Sequence, residues 1–364
     1  MDVSDPDATR IPATDLRRFV SALYEAHGTA TDRADRIAVS VVGANLHGHD
    51  SHGLQLLSWY VDSIADGKVD VRADPIVEHP TDFCVRVEPN GAIGRIVGAT
   101  LTERVLELAA ERGLAMGTTA NADHLGRLGE WAGMAADAGL LLFGFTKAFG
   151  SYVAPPGTTD GRYGSNPITA GIPTFDALPY PLLVDASTSV VANAKLTELD
   201  RWGESVPEGW GLTAQGDPLA DPETFLDGDG VLQPLGGLVA GHKGFALATM
   251  VELVATMLAD GYAAGQHVPV PQTNTTTFVA VDPLALTDRP AIEAKIDAFA
   301  AHVRSAEPGA VPLGRAAVGD RPLLPGEAEH RIAADRRERG IPLPDATIAE
   351  LEDLGAPHGL SVRP

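Results

Sequence analysis

The chain has 364 residues, 44% of them hydrophobic, so it is long enough to build more than one packed lobe. Its formal charge of −22 at pH 7 argues against a nucleic acid partner, because binding nucleic acid requires clustered cations that replace counterions. The longest apolar runs, such as residues 139–145, are shorter than the roughly 20 residues of a membrane-spanning helix, so no membrane partner is expected either.

The acidic residues and the cysteine content predict the compartment. The 49 Asp and Glu residues face only five lysines, a balance typical of a salt-loaded cytoplasm, where dense carboxylates keep a surface hydrated. An ordinary acidic protein from a GC-rich genome is the alternative. The single cysteine, Cys84, excludes an intrachain disulfide and fits a reducing compartment, and the acidic N-terminus lacks the apolar core of a secretory signal. We expect a halophilic, cytoplasmic protein.

Amphipathic helices open the chain. Apolar residues recur at helical spacing over residues 14–27, with Thr14 as a candidate N-cap and Gly28 as a stop, and again over residues 34–45. A third helix is predicted over residues 54–64. The polar segment 47–53 lies between the second and third helices, so we expect its side chains to be held rigidly from both sides.

The rest of the chain alternates between helices and strands. The pattern predicts helices over residues 102–111, 128–138 and 245–258, and strands over residues 114–120, 140–146, 181–185 and 276–281. Residues 203–241 are rich in Gly, Pro and Asp, which is typical of an irregular surface connection. The predicted class is α/β.

Segment 47–53 carries the densest chemistry in the chain. His47, His49 and His52 lie within six residues, together with Asp50 and Ser51, and imidazoles serve either proton transfer or metal binding. The spacing is close to the zinc-binding H-x-H-x-D-H pattern of some hydrolases, but Asp50 comes one position too early and no second cluster follows. We therefore expect no metal, and a metal-dependent hydrolase built on the three histidines stays as the less favoured alternative.

The nucleotide-binding fingerprints G-x-G-x-x-G and G-x-x-x-x-G-K-[ST] are missing from the sequence, so a dinucleotide would need another architecture. Several turns could contribute to one. Residues 121–126 place His124 after a predicted strand, residues 183–189 end a strand on Asp185 and hydroxyl side chains, and residues 241–244 open a helix with Lys243. A helix opening of this kind suits an anionic group.

In order and spacing, these segments resemble the type 2 malate/L-lactate dehydrogenase family, whose members include sulfolactate, ureidoglycolate and diketogulonate enzymes and cyclic imino acid reductases. The resemblance covers about residues 14–355 and rests on segments 50–53, 121–126, 164–167, 185–189, 242–245, 324–327 and 340–343. It implies a non-Rossmann, L-sulfolactate dehydrogenase-like α/β fold, with a mixed sheet and flanking helices in two lobes. It also implies a homodimer that binds NAD or NADP.

The resemblance also implies the domains and the site residues. Residues 1–80 together with 260–364 would form a helical substrate lobe that contains the catalytic histidine, and residues 81–259 would form the dinucleotide-binding lobe. The implied catalytic residues are His52, Ser51, His124 and Asp185. The implied cofactor contacts are His124, Leu125, Gly126, Arg127, Leu128, Asp185, Ala186, Ser187, Lys243, Pro325, Gly326 and Glu327, and the implied substrate contacts are Lys147 and Thr169.

One position departs from the family pattern. Members of the family usually carry an arginine four residues after the catalytic histidine, where it grips the substrate carboxylate, and this chain has Leu56 there. A leucine cannot form that charge-assisted pair, so Arg127 or Lys147 would have to replace it, or the substrate would have to differ.

The expected reaction is hydride transfer between NAD or NADP and a small 2-hydroxy or 2-oxo acid, similar to malate or lactate. A neutral imidazole suits the accompanying proton transfer near pH 7, and His52 is the candidate. Reduction of a cyclic imino acid is the nearest alternative, and a member that has lost catalysis and kept only the scaffold is a more distant one.

Overall fold

The computed structural model describes residues 8–267, 273–307 and 321–363. Short 3₁₀ turns at Asp50–His52 and Leu54–Leu56 lead into the third helix. The helices are α1 (Ala13–Ala26), α2 (Thr31–Leu46), α3 (Leu57–Ala65), α4 (Gly94–Arg112), α5 (Leu128–Asp137), α6 (Ala194–Trp202), α7 (Pro222–Leu226), α8 (Gly237–Ala259), α9 (Arg289–Arg304), α10 (Glu327–Arg339) and α11 (Asp345–Gly355).

A seven-stranded sheet lies at the centre, in the order β2-β3-β4-β10-β5-β6-β7, and only β3 and β4 run parallel to each other. Two small ribbons pair β1 with β11 and β8 with β9. The strands are β1 (Thr9–Ile11), β2 (Ile76–Thr81), β3 (Cys84–Glu88), β4 (Leu114–Ala122), β5 (Leu141–Lys147), β6 (Ile168–Ile172), β7 (Leu182–Ala186), β8 (Gly211–Thr213), β9 (Gly230–Leu232), β10 (Asn274–Val281) and β11 (Ile341–Leu343). The α/β class with a mixed sheet and flanking helices is confirmed.

Helices cover both faces of the sheet. On one face, α4 and α5 bury Trp131, Leu101 and Val105 against Leu142 and Phe278 of the strands. On the other face, α8 packs across β4, β5 and β10. Successive side chains of a strand point to opposite faces, so each polar residue of β5 and β10 faces either the α4/α5 layer or α8.

A second core belongs to the N-terminal helices. Residues of α1, α2 and α3 form one apolar cluster with β11 and α11, including Leu16, Ile37, Leu57, Ile341 and Leu351. The amphipathic patterns over residues 14–27 and 34–45 predicted this burial. This helical cluster therefore joins the beginning of the chain to its final segment.

The domain boundary at residue 260 does not match the strand order. β10 lies in the middle of the sheet, between β4 and β5, so residues 274–281 belong to the sheet rather than to the helical cluster. α9 likewise packs through Ile296 and Ala300 against Leu178 and Leu182, beside the sheet. Among the described residues after 260, α10 contacts α2, and the segment from β11 onward joins the core of α1 and α2.

Helix α8 has an uncovered apolar side. By length and composition it is the one helix in the described ranges that could cross a membrane, although no apolar run of the sequence predicted such a helix. Its inner side is fixed against the sheet and buries Glu252 and Val251, so lipid could not surround it. The exposed apolar side chains are Leu238, Val239, Phe245, Leu247, Met250, Leu253, Met257 and Leu258.

Candidate active site

A cavity of about 520 Å³ opens where β4 and β5 end and β10 begins, a volume that suits a small-molecule site. The segments that line it come from every part of the fold: the turns before α3, the loop after β4, the end of β5, the loop after β7 and the start of α6. The predicted site residues that line it are Ser51, His52, His124, Gly126, Leu128, Asp185, Ala186 and Ser187.

A salt bridge clamps the turn that carries His52. Arg336 of α10 donates from Nη1 and Nη2 to the two carboxylate oxygens of Asp50, at 2.7 and 3.0 Å. Asn45 of α2 also donates to Asp50 and accepts from the backbone N–H of Leu54 at 2.8 Å. A Cβ at Gly53 would collide with the Asn45 side chain. Asp50 and Gly53 therefore shape the turn, and the adjacent Ser51 and His52 are left for the cavity.

His52 is partly buried in the cavity wall, as a neutral imidazole. Its Nδ1 lies 3.1 Å from the Ser51 hydroxyl, which leaves Nε2 for a substrate oxygen. Burial and the neighbouring His124 hold the pKa of His52 well below its usual value. At neutral pH the ring is therefore unprotonated, and it is ready to accept a proton.

His124 lies beside His52, with ring centroids 5.6 Å apart. Its Nδ1 is 2.7 Å from the Tyr60 hydroxyl, which itself accepts a hydrogen bond from Arg95 at 3.0 Å. Because Arg95 donates to Tyr60, the Tyr60 hydroxyl can donate to Nδ1 and fix the proton of His124 on Nε2. Burial lowers the pKa of His124 to about 3, with a smaller effect from Arg95, so this ring is a neutral hydrogen-bond donor.

Arg95 links the two histidines through hydrogen bonds, one of which runs through the Tyr60 hydroxyl. It is almost completely buried and also donates to the His52 carbonyl oxygen at 2.6 Å and to the Ser40 hydroxyl at 2.8 Å. Neither Arg95 nor Tyr60 is marked by a motif in the sequence. Each lies within a helix at an ordinary amphipathic position, and only the packing of α3 and α4 brings them together beneath the site.

Asp185 ends β7 at the N-terminus of α5. Its Oδ2 accepts from the backbone N–H of Gly129 at 2.7 Å, which places a carboxylate where the helix dipole favours negative charge. Burial lowers the pKa of the Arg127 guanidinium, and the nearby charge of Asp185 opposes this effect. Asp185 thus forms the wall between this cavity and a second cleft of about 640 Å³ that Arg127 and Gly129 line.

The remaining lining of the cavity includes both apolar and charged side chains. Leu56, Trp59 and Phe149 are the apolar ones, and the Trp59 and Phe149 rings stack 6.1 Å apart. Lys195 also lines the cavity, where it pairs with Glu198. None of these residues except Leu56 was singled out from the sequence.

Asn274, at the start of β10, is an orphaned polar group. It is 5% exposed, it lines the cavity, and its Oδ1 accepts no hydrogen bond from the described residues. A buried acceptor without a partner is costly, so a ligand donor is the natural partner for this atom. A lone Asn in a strand gives no such signal in the sequence.

The structure does not bring the two predicted substrate contacts to the cavity. Thr146 of β5 faces it, so the next residue, Lys147, points to the opposite face, where Glu252 of α8 raises its pKa and burial lowers it more strongly. Thr169 is fully buried and donates to the Val184 carbonyl oxygen at 2.9 Å. Neither Lys147 nor Thr169 therefore lines the cavity in which a substrate would bind.

The predicted cofactor contacts fall in three places. Several line the main cavity, as given above, whereas Arg127 and Gly326 line the second cleft. Leu125 is buried in the core of the sheet, and Lys243 lies exposed on α8, where it lines neither space in the described structure. These three groups do not converge on one pocket within a single chain.

The turn at residues 325–327 is mainly structural. The Pro325 carbonyl oxygen accepts from the backbone N–H of Leu183 at 3.3 Å, which holds the turn beside β7. Burial alone would raise the pKa of Glu327, but hydrogen bonds from Tyr180 and Arg304 lower it to about 2. The Glu327 side chain is 3% exposed, so it anchors α10 and offers little surface to a ligand.

The three histidines of segment 47–53 do not share a ligand position. His47 Nδ1 bonds to the Gly43 carbonyl oxygen at 2.8 Å and its ring lines the second cleft. His49 and His52 both line the main cavity, but His49 Nε2 lies 3.5 Å from Glu329 and His52 Nδ1 lies 3.1 Å from the Ser51 hydroxyl. Across the described ranges, no group of three or more His, Cys, Asp or Glu is arranged to hold a metal ion. The geometry therefore does not favour the hydrolase alternative.

Comparison with known proteins identifies the fold. The sequence profile of the malate/L-lactate dehydrogenase family matches residues 11–352. The chain belongs to this family. It is 31% identical over 342 residues to hydroxycarboxylate dehydrogenase B of Escherichia coli (strain K12), covering 92% of this chain and 90% of that protein.

Two further relatives agree. The chain is 32% identical to a delta(1)-pyrroline-2-carboxylate/delta(1)-piperideine-2-carboxylate reductase of Pseudomonas putida, over 71% of this chain and 74% of that one. The crystal structure of malate dehydrogenase from Entamoeba histolytica superposes with a TM-score of 0.88 at 24% identity, covering 97% and 99% of the two chains, which shows a shared fold. The predicted resemblance is confirmed, and this malate/L-lactate dehydrogenase family member is an oxidoreductase that acts on the CH–OH group of hydroxy acids.

The buried neutral imidazoles predict acid lability. Burial lowers the pKa of His47 to about 4 and that of His124 to about 3, whereas both titrate near 6.5 in the unfolded chain. The unfolded state therefore binds more protons below pH 6.5, so this stability is complete above that pH and is lost as the pH falls toward 4. At pH 5, each of these two imidazoles lowers the free energy of unfolding by roughly 2 kcal/mol relative to neutral pH.

Urea unfolding at pH 7.5 and pH 5 measures this loss. His47→Asn should make the pH dependence shallower, because one of the titrating groups is gone. Equal midpoints at the two pH values would contradict the assignment of buried neutral histidines.

Proposed function

We propose that this family member interconverts a small 2-hydroxy acid and the corresponding 2-oxo acid, with NAD or NADP as the hydride carrier. The observation that carries the proposal is the pair of partly buried neutral imidazoles, His52 and His124, side by side on a cavity that also contains a cation, Lys195. A proton acceptor, a neutral donor and a positive charge are what the oxidation of a hydroxy carboxylate requires.

The cavity fits a nicotinamide. The unpartnered Oδ1 of Asn274 suits the N–H donors of a carboxamide. When bound, the nicotinamide supplies the hydride chemistry at C2 of the substrate. Asn274, Gly126, Leu128, Ala186 and Ser187 would hold it.

The protein's own residues handle the proton. In oxidation, His52 Nε2 accepts the hydroxyl proton while Ser51 keeps Nδ1 in place. The Nε2–H of His124 donates to the substrate oxygen as it becomes a carbonyl, and Arg95 keeps both rings neutral and oriented through Tyr60 and the His52 carbonyl oxygen. In reduction, the imidazolium of His52 returns the proton.

The second cleft suits the rest of the dinucleotide. Arg127 and Gly326 line it on the far side of Asp185, and a guanidinium suits a phosphate group. We infer that Asp185 positions Gly129 and Arg127 for this contact and takes no proton itself. Leu125 contributes by fixing the loop, since its side chain is in the core.

Reduction of a cyclic imino acid is the second candidate, because a relative at 32% identity carries that name. The same imidazole could protonate the nitrogen of a C=N bond. Oxidation of NADH and NADPH by a panel of 2-oxo acids and cyclic imines, in molar KCl, tests both. Faster turnover of any 2-oxo acid than of the cyclic imines supports the proposal. Turnover of the imines alone would favour the imino acid reductase instead.

We also propose a homodimer that pairs through α8. The uncovered apolar side of this helix carries exposed side chains from Leu238 to Leu258 and is nearly without charges. A patch of this kind marks an interface in a water-soluble protein, and two-fold pairing of identical helices is the commonest arrangement. The exposed Lys243 at the start of the same helix would then lie at the interface.

Substitution on this helix should dissociate the dimer. Met257 is 76% exposed in the isolated chain, so Met257→Glu should leave the fold intact and produce monomers, because two carboxylates would be buried face to face. Size-exclusion chromatography with light scattering gives the mass. Leu286→Glu is the matched control, since Leu286 is 82% exposed away from α8; a monomeric parent protein, or a Met257→Glu variant that stays dimeric, would contradict the interface.

We infer from the net charge that the protein works at high salt. The single cysteine fits a reducing cytoplasm. A net charge of −22 destabilises a compact state through self-repulsion unless counterions screen it. The thermal unfolding midpoint should therefore rise when KCl is increased from about 0.1 M to about 2 M. A midpoint that is constant, or that falls with salt, would show an ordinary acidic protein.

A further inference from the structure

Lys195 is the only Lys or Arg among the described residues that line the main cavity. It lies in the first turn of α6, and the neighbouring Ala192, Asn193 and Ala194 line the cavity as well. The positive end of the α6 dipole therefore points to the same side as the ammonium group. Its charge reaches His52, whose pKa it lowers slightly beyond the effects of burial and the neighbouring histidines.

The Lys195 ammonium is held in place but keeps one donor. Its Nζ pairs with both oxygens of Glu198, at 2.7 and 2.5 Å, and the Glu198 side chain is 5% exposed. An ammonium has three N–H donors. Two are directed at Glu198, so the third can meet a ligand that enters the cavity.

The apolar part of the cavity lining offers no charge to a substrate. Leu56, Trp59 and Phe149 form it, and the ring of Trp59 lies 6.0 Å from that of His124, in an edge-on arrangement. A carboxylate buried against these side chains would lose its hydration and gain no partner, which is unfavourable. An aliphatic or aromatic group would gain from the same contact.

We propose that the substrate is a 2-oxo or 2-hydroxy monocarboxylate with an apolar side chain. Its carboxylate is held by Lys195, and its side chain packs against Leu56, Trp59 and Phe149. This inference rests on the proposed function and narrows its substrate. The single cation matches the single carboxylate, so a dicarboxylate such as oxaloacetate leaves one charge unpaired.

The first experiment compares 4-methyl-2-oxopentanoate and phenylpyruvate with oxaloacetate as oxidants of NADH and NADPH. We expect kcat/KM for the better apolar substrate to exceed that for oxaloacetate by at least about tenfold. Leu56→Arg should reverse the preference, because the new guanidinium can pair with a second carboxylate.

The second experiment removes the cation. Lys195→Met/Glu198→Gln takes away both members of the pair, so no buried charge is left alone. We expect KM for the apolar substrate to rise about 10- to 100-fold, the usual effect of a lost charge-assisted hydrogen bond, while NADH affinity, measured by fluorescence titration, stays unchanged. Lys295→Met, on the exposed surface of α9, is the matched control and should behave as the parent protein.

The outcomes separate the two levels of the proposal. Oxaloacetate as the best substrate, or an unchanged KM in the folded double variant, would overturn the substrate assignment and leave the oxidoreductase function standing. No turnover of any 2-oxo acid, together with no binding of NADH or NADPH, would overturn both.

Discussion

Replacement of His52 by asparagine lowers turnover roughly 10²- to 10⁴-fold, the usual contribution of a positioned acid or base. The physical reason is that His52 Nε2 is the only nitrogen of the ring left for the substrate, since Nδ1 is engaged by Ser51 at 3.1 Å. Asparagine keeps a polar side chain of similar length and cannot accept the hydroxyl proton. Cofactor affinity should change little, because the ring holds the proton rather than the nicotinamide.

Steady-state kinetics and NADH fluorescence titration together check this result. His79→Asn is the matched control, because His79 lies exposed on β2, away from the cavity. A folded His52→Asn protein with parental turnover would remove His52 from the mechanism. A variant that loses NADH binding along with turnover would place His52 in the cofactor site instead.

Replacement of Arg95 by methionine destabilises the fold by roughly 3–5 kcal/mol, in the range found when one member of a buried charged network is removed. Arg95 is 2% exposed and donates to Ser40, Tyr60 and the His52 carbonyl oxygen. Methionine fills similar volume but satisfies none of these acceptors, so the Tyr60 hydroxyl and the backbone of the catalytic turn lose their orientation.

Urea unfolding at a fixed protein concentration measures this effect, since the proposed dimer would make stability depend on concentration. Arg104→Met is the matched control, because Arg104 lies on the same helix, half-exposed, and its ion pair with Glu107 is a surface contact worth less than about 1 kcal/mol. Equal stability of the two variants would show that the Arg95 network is dispensable. In the Arg95 variant that remains folded, turnover should also fall.

Local chemistry made part of the site predictable. Asp50, Ser51, His52 and Gly53 are adjacent in sequence, so the sequence alone indicates where the candidate acid/base histidine lies. The contacts that shape their turn come both from nearby Asn45 and from distant Arg336. The periodicity of α1 and α2 likewise predicted their burial, since a helix that packs on a core must show a 3.6-residue pattern. The fold followed from the resemblance, which covers nearly the whole chain.

The partners of the site residues could not be predicted, because they depend on packing between distant elements. Arg95 and Tyr60 meet His124 only after α3 and α4 dock, and Lys195 reaches the cavity only through α6, which no pattern predicted. Lys147 is an example, because its strand was predicted but the face of the sheet on which its side chain lies was not. Strand side chains alternate, so the correct strand delivered Thr146 to the cavity and Lys147 to the other face.

The most direct test of the account follows the hydride itself. Reduced cofactor that carries deuterium at both C4 positions of the nicotinamide is consumed with 4-methyl-2-oxopentanoate, and the product is examined by proton NMR. We expect a 2-hydroxy acid with deuterium at C2, and loss of that product in the His52→Asn protein. Cofactor oxidation that leaves no deuterium at C2 would contradict the proposal that this cavity transfers a hydride to a 2-oxo acid.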